Sequence, residues 1–173
     1  MLDRRDKEVY KRVPSAGFII YRQTKDGPKF LIMYHRGDYW NFPKGRIEHL
    51  ENSVETALRE LEEETGLKPN ELKIRENFKT HESFKFTMGK EKIQKVVTLY
   101  LAETHKKGID ISKGDKEEGF GWFLYRDARK LFANYKESQT VLRKAYSFIQ
   151  GKPHYQQKRV SEKRLHQRFA KRT

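Results

Sequence analysis

Short segments rich in β-branched and aromatic residues recur along the chain and are separated by Gly, Asp, Asn and Lys. This pattern is typical of β-strands. The first two segments are joined by a stretch containing Asp26-Gly27, a pair that favours positive φ and therefore a hairpin turn. We predict strands over residues 17–22, 29–35, 71–79, 82–88, 94–103 and 119–125.

The period of the apolar positions changes between residues 52 and 65. Apolar side chains there follow the i, i+3, i+4, i+7 spacing of an amphipathic helix. Asn52 with Glu55 three residues later predicts a capping box, and Gly66 predicts the end of the helix. The apolar stripe consists of Val54, Ala57, Leu58 and Leu61. The same period predicts two further helices, over 126–134 and about 137–149.

The length of 173 residues suits one domain and a tail, which we place at 1–150 and 151–173. With 35% hydrophobic residues the chain can form a core. Zero cysteines exclude disulfides and Cys-based zinc sites, so any metal would be held by oxygen or imidazole. No apolar run approaches the ~18 residues of a membrane span, and the first residues lack a signal-peptide pattern. We expect a cytoplasmic protein with no membrane partner.

Charge is distributed unevenly along the chain. The net charge is +14, and half of it lies in the tail, where eight Lys and Arg face one acid, Glu162. The apolar period thins there, so we expect a basic helix or a disordered segment. Residues 45–67 are acidic instead, with seven glutamates against Arg46 and Arg59. A solvated helix face is the simplest explanation of such a run.

The spacing of these glutamates argues against that simple explanation. Glu60, Glu63 and Glu64 share one face of the predicted helix, where like charges repel. A cation would remove the repulsion, and carboxylate oxygens select hard divalent ions, among which Mg²⁺ commonly bridges to phosphates. Such a site would polarise phosphoryl oxygens and activate water. The preceding loop offers Lys44 as a charge for phosphate and Gly45 for close backbone approach.

These residues resemble a known family. Gly45, Glu51, Arg59-Glu60, Leu61, Glu63-Glu64, Gly66 and Leu67 stand at the spacing of the Nudix box without a mismatch. The resemblance covers roughly residues 12–150 and omits the tail. It implies an α+β Nudix fold, with a mixed sheet sandwiched between helices. It also implies a Mg²⁺-dependent hydrolase, with Mn²⁺ as the alternative cation, that acts on a nucleoside diphosphate linked to another group.

The resemblance also implies residue roles. Glu60, Glu63, Glu64 and the Gly45 carbonyl match metal ligands, and Glu60 also matches a general base in relatives. Arg59 matches the residue that orients the glutamates. Glu51 matches a structural tie between the loop and the helix. A further acid or base outside the box would come from Asp115, Glu117 or Glu118, with Glu117 as the first choice and Glu118 as the second.

Within the superfamily, the chain most resembles the asymmetric diadenosine tetraphosphate hydrolases. The likeness rests on Trp40 four residues before Lys44, and on Lys95 before a later strand. Four phosphates need several cations, and an adenine needs an aromatic face, worth about 1–3 kcal/mol per base. The candidate cations are Lys44, Lys95, Arg36 and Lys92, and the candidate aromatic contacts are Tyr39, Trp40, Phe84 and Phe86. Relatives often have His near position 39 and Tyr near 86, so the substrate is less constrained than the reaction.

Simpler interpretations remain open for several of these residues. Trp40 and Trp122 are typical core or loop anchors. Phe84 and Phe86 alternate with Lys85, as on one face of a strand. The basic tail fits a solvated extension, but it also fits an RNA contact. The alternative function is therefore an RNA 5′-end pyrophosphohydrolase or an RNA-binding Nudix protein that uses the tail. The sequence leaves the oligomeric state undetermined.

Overall fold

The computed structural model describes residues 9–37, 39–112 and 117–152, with Glu117 described as backbone alone. These residues form seven strands, three helices and a 3₁₀ turn at Pro69–Glu71. The strands are β1 Lys11–Arg22, β2 Lys29–His35, β3 Tyr39–Asn41, β4 Lys44–Arg46, β5 Leu72–Met88, β6 Glu91–Thr104 and β7 Glu117–Leu124. The helices are α1 Ser53–Thr65, α2 Tyr125–Leu131 and α3 Lys136–Ile149.

The strands form one mixed sheet built around β1. Along most of its length β1 pairs in parallel with β6, and β6 pairs antiparallel with β5. On its other side β1 pairs first with β4 and then, near its end, with β2. Strand β2 is flanked by β3 and β7. The pairing partner of β1 on this side therefore changes between Gly17 and Tyr21.

Both faces of the sheet are covered, because residues of β1 alternate between two cores. Ala16, Phe18 and Ile20 join the cluster that includes Ala57 and Leu61 of α1. The alternate residues Ile19 and Tyr21 join the cluster that includes Ala128 of α2 and Val141 of α3. This arrangement is the predicted α+β fold with a mixed sheet between helices. No helix in the described ranges is long and apolar enough to cross a bilayer.

Helix α1 matches its sequence prediction closely. The Asn52 side chain accepts hydrogen bonds from the backbone N–H groups of Val54 and Glu55, and the Glu55 side chain accepts from the Asn52 N–H. Gly66 ends the helix at φ 69°, a left-handed conformation that favours glycine. The capping box and the buried stripe therefore fix both the start of α1 and its rotation about its axis.

The other element predictions are correct in kind and differ at their bounds. Strand β1 begins at Lys11, six residues before the predicted start. The two strands predicted over 71–79 and 82–88 are one continuous strand, β5, with a register shift between Ile74 and Lys79. Helix α2 ends at Leu131, short of the predicted 134. The predicted tail overlaps the described residues only at 151–152; the remainder, 153–173, lies outside them.

We expect Asn52→Ala to lower the free energy of unfolding by about 1 kcal/mol, because it removes the acceptor for two N–H groups at the first turn of α1. Urea denaturation measures the change. Asn134→Ala is the matched control, since Asn134 is exposed and outside any helix, and should shift the free energy by less than about 0.5 kcal/mol. Equal losses in the two variants would contradict a capping role.

Candidate active site

The site is built where α1 faces β4. Ala57 and Leu61 hold one side of the helix in the core, so the opposite positions turn toward the β4 segment. The Glu60 side chain is largely buried there, with 16% of its surface exposed, whereas Glu63 is 55% exposed. The carboxylates predicted to share a helix face therefore sit in different environments, one sheltered by the sheet and one open to solvent.

Arg59 joins the acidic residues into one network. Its Nε and Nη2 donate to the two carboxylate oxygens of Glu51 at 2.7 and 3.0 Å. Its Nη1 donates to Glu60 at 2.9 Å and to Glu63 at 3.2 Å, and Nη2 also reaches the Arg46 carbonyl oxygen at 3.2 Å. A planar guanidinium can satisfy several acceptors at fixed angles. The Arg59–Glu63 contact is an i, i+4 ion pair along α1.

Glu51 connects the loop before the helix to the helix itself. Besides Arg59, it accepts from Thr56 Oγ1 at 2.8 Å and from the Glu48 backbone N–H at 3.3 Å. The hydrogen bonds from Arg59 are the main reason that the pKa of Glu51 falls to about 2. The structural tie expected for this residue is confirmed.

Glu60 packs directly on the backbone of Gly45. A Cβ atom at Gly45 would overlap the Glu60 carboxyl group, so no other residue type fits at this position without displacing that side chain. Burial raises the pKa of Glu60. Arg59 opposes that rise, the nearby Glu63 adds to it, and Lys95 on β6 opposes it weakly. Lys95 is therefore close enough to Glu60 to contribute positive potential there.

Lys44 precedes Gly45, and both its backbone and its side chain contact glutamates. Its backbone N–H donates to Glu64 Oε2 at 3.0 Å, which anchors the third glutamate of the face to β4. Its side chain crosses to the α3 side of the sheet, where Nζ lies 3.5 Å from Glu82 Oε1. Sequence reasoning placed Lys44 in a loop as an available point charge. The structure places it on a strand, 7% exposed and paired with an acid.

Glu82 is the site residue that sequence reasoning missed. It is buried on β5, and its second oxygen accepts from Ser138 Oγ of α3 at 3.1 Å. A signal was present, because Glu82 is in phase with Phe84 and Phe86 in an alternating strand. A charged residue at an inward position of such a pattern indicates a buried partner of opposite charge.

Two of the predicted aromatic contacts lie close to Lys44. The rings of Tyr39 and Phe84 are each centred 5.9 Å from Lys44 Nζ. Phe86, two residues further along β5, is 45% exposed. Trp40 packs edge-on against Phe123, with ring centres 5.6 Å apart, which supports the simpler interpretation of a core anchor. Tyr39 and Phe84 are therefore the aromatic groups nearest the charged site.

The acidic candidates outside the box are only partly described. Asp115 lies outside the described residues, and so does the side chain of Glu117, whose backbone begins β7 and pairs with His35. Glu118 accepts a hydrogen bond from Arg36 Nε at 2.7 Å. The candidate base Glu118 and the candidate cation Arg36 are therefore paired with each other. Lys92 sits near the β5–β6 turn, opposite Thr87.

The donor chemistry of the α1 face suits a hard divalent cation, since it offers three carboxylates and a glycine backbone that approaches one of them closely. Within the ranges the structure describes, no three acidic or histidine side chains converge as a ready metal cluster. Instead, Arg59 bridges Glu60 and Glu63 while Glu64 accepts from the Lys44 N–H. Glu63 is exposed enough to reorient, so the residues fit a cation without changes in the fold.

Comparison with known proteins agrees with this geometry. Residues 11–145 match the NUDIX domain family. The asymmetrical bis(5′-nucleosyl)-tetraphosphatase of Mus musculus is 31% identical over 147 residues, which cover 80% of this chain and 97% of that protein. The crystal structure of a binary complex of the Caenorhabditis elegans Ap4A hydrolase superposes with a TM-score of 0.69 at 28% identity, covering 80% of this chain and 98% of the other.

A third relative is similar over a shorter stretch. The RNA pyrophosphohydrolase of Stenotrophomonas maltophilia (strain K279a) is 41% identical over 69 residues, which cover 40% of this chain and 32% of that protein. The chain belongs to the Nudix family. It is a pyrophosphohydrolase that acts on phosphoric anhydride bonds, in a family whose enzymes use divalent metal ions.

We expect the stabilising effect of Glu51 to depend on pH. Its pKa is lowered in the folded state from 4.5 to about 2, so its ionised form stabilises the fold at neutral pH. That contribution is lost as the pH falls through this interval. Glu51→Gln should therefore be less stable than the native chain at neutral pH, and the difference should shrink toward pH 2.

Urea denaturation as a function of pH measures the change. Glu62→Gln, on the exposed side of the same helix, is the matched control and should change the free energy of unfolding by less than about 0.5 kcal/mol. A Glu51→Gln difference that is constant between neutral pH and pH 2 would contradict the ionic tie to Arg59.

Proposed function

We propose that this chain is a Mg²⁺-dependent hydrolase of dinucleoside polyphosphates, with diadenosine tetraphosphate as the representative substrate and mononucleotides as products. The observation that carries the proposal is the carboxylate face of α1, oriented by Arg59 against the Gly45 backbone. The substrate class is supported by relatives that match this chain over nearly their whole length and are named as asymmetrical tetraphosphatases.

In this proposal Glu60, Glu63, Glu64 and the Gly45 carbonyl hold the cation, with Mn²⁺ as the alternative ion. When bound, the cation neutralises charge on the phosphoryl oxygens and lowers the pKa of a water molecule. Arg59 keeps Glu60 and Glu63 oriented. Residues on the sheet bind the polyphosphate: Lys44 and Lys95 supply positive charge, and Tyr39 or Phe84 offers a ring face to a base.

A carboxylate then takes the proton from the attacking water. The candidates are Glu60, which is sheltered by β4, and Glu117 or Glu118 at the start of β7. Glu60 already lies in the carboxylate face, whereas Glu118 would have to leave its ion pair with Arg36. Positioning and charge stabilisation supply most of the acceleration, as in other phosphoryl transfers.

We expect the double variant Glu63→Gln/Glu64→Gln to lose turnover by about 100-fold or more with Mg²⁺, since even loss of outer-shell partners costs about 10- to 100-fold. The assay is a panel of dinucleoside polyphosphates, nucleoside triphosphates, ADP-ribose and triphosphorylated RNA in heavy-oxygen water, with products resolved by mass. Glu62→Gln is the matched control on the same helix. Near-native turnover in the double variant would remove these glutamates from the mechanism.

A second candidate function is hydrolysis of RNA 5′ ends. It is supported by the similarity to an RNA pyrophosphohydrolase over the residues around the box, and by the eight basic residues between 151 and 173. In this alternative, residues 1–150 are the catalytic domain and residues 151–173 add electrostatic affinity for the RNA backbone.

Deleting residues 151–173 tests this alternative. If the tail contacts Z phosphates, its loss should weaken binding of triphosphorylated RNA and reduce the slope of log affinity against log salt by about 0.7Z. Turnover of diadenosine tetraphosphate serves as the control and should be unchanged. An unchanged RNA affinity and salt slope would contradict the tail's proposed role.

A further inference from the structure

The buried pair between Lys44 and Glu82 is not explained by the box. Their side chains are 3% and 0% exposed, respectively. The 3.5 Å between Nζ and Oε1 leaves both atoms without a hydrogen-bond partner in the described part of the chain. Transferring both charges from water is costly, and apolar residues of similar size are often at least as stabilising as such a pair. Stability alone is therefore a weak reason for these two residues.

The location of the pair gives a better reason. The Lys44 backbone N–H binds Glu64, and the next residue, Gly45, packs on Glu60. The main chain of Lys44 and Gly45 therefore connects the Lys44 side chain to the carboxylate face of α1. Its Nζ also lies 5.9 Å from the ring centres of Tyr39 and Phe84, so it stands between the charged and the aromatic parts of the site.

Glu82 is itself held on two sides. Strand β5 presents it toward α3, where Ser138 donates a hydrogen bond to Oε2 at 3.1 Å. The other oxygen, Oε1, faces the Lys44 ammonium. This fixed carboxylate therefore holds the Lys44 side chain in one orientation. The ammonium also keeps donors free for a third group, since the distance to Glu82 is too long for a hydrogen bond.

We propose that Glu82 is a positioning residue for substrate binding: with Ser138, it holds the Lys44 side chain in place to bind a phosphate of the substrate. The inference rests on the proposed function, because it assumes that a polyphosphate lies over β4. Glu82 touches no reacting atom and acts through Lys44. The ligand chemistry is that of a phosphoryl oxygen, which a lysine recognises as a point charge.

A double-mutant cycle tests the proposal. The variants are Glu82→Gln, Lys44→Met and the combination of the two. The first readout is the calorimetric Kd, with Mg²⁺ present, for a tripolyphosphate analogue whose two bridging oxygens are replaced by carbon. This ligand contains no nucleoside, so its binding does not depend on base preference. The second readout is KM and kcat for diadenosine tetraphosphate.

Glu82→Gln should raise both Kd and KM about tenfold, the loss expected for one charge-assisted contact, and leave kcat within about twofold. Lys44→Met should raise them similarly. The combined variant should match Lys44→Met, because Glu82 has no effect once the ammonium is gone. Glu82→Asp keeps the charge and should recover most of the affinity. Ser138→Ala, which removes only the supporting hydrogen bond, should raise Kd a few-fold.

Glu103→Gln is the matched control. Glu103 is also a largely buried glutamate, but it pairs with Tyr21 and Arg75 on the far part of the sheet. It should lower Tm without changing Kd. If Glu82→Gln behaves in the same way, the Lys44–Glu82 pair is only structural and the inference is wrong. It is also wrong if Glu82→Gln weakens binding equally in the Lys44→Met background.

The two proposals can fail separately. A native chain that does not hydrolyse diadenosine tetraphosphate contradicts the proposed substrate, while the Kd cycle with the tripolyphosphate analogue still decides the role of Glu82. A native chain that hydrolyses the dinucleotide but does not bind the analogue overturns the inference about Glu82. Should Glu82→Gln not fold, Ser138→Ala and Glu82→Asp decide it: unchanged Kd in Ser138→Ala would overturn it.

Discussion

The repulsion among glutamates on one helix face is the constraint on which the site depends. Glu60, Glu63 and Glu64 would disfavour α1 if their charges were not compensated. Arg59 provides that compensation within the protein, since its guanidinium reaches Glu60, Glu63 and the loop residue Glu51 together. The capped, buried helix then holds the carboxylates against β4. With three carboxylates against one guanidinium, the network keeps a net negative charge.

Strand β4 connects this network to the other side of the sheet. Successive residues of a strand point to opposite faces, so Lys44 and Gly45 have different partners. The missing side chain of Gly45 admits Glu60 from the α1 side, while the Lys44 side chain meets Glu82 on the α3 side. A three-residue strand therefore brings together charges from α1, β5 and, through Ser138, α3. Its pairing with β1 holds this short strand in the sheet.

The sequence allowed accurate prediction wherever local pattern and tertiary structure agree. The capping box of α1, the hairpin turn at Gly27 and the fold as a whole followed from period, turn residues and the box spacing. Strands β3 and β4 were missed because three residues show no period and form only by pairing with β2 and β1. We predicted two strands where β5 is one, because polar residues interrupt the strand pattern in its middle. The strand nevertheless continues along β6 across a register shift. The Lys44–Glu82 pair could not be predicted from local pattern, because the two residues are 38 positions apart and meet only when the sheet forms.

The local charge of the site explains why a cation belongs with the substrate in the proposed function. The α1 face and the loop before it present Glu51, Glu60, Glu63 and Glu64, while Arg59 neutralises only part of this charge. A polyphosphate entering such a field is repelled unless divalent cations accompany it. In that proposal, a cation held at the carboxylate face places positive charge at one anhydride link, whereas a flexible lysine by itself does not select one link.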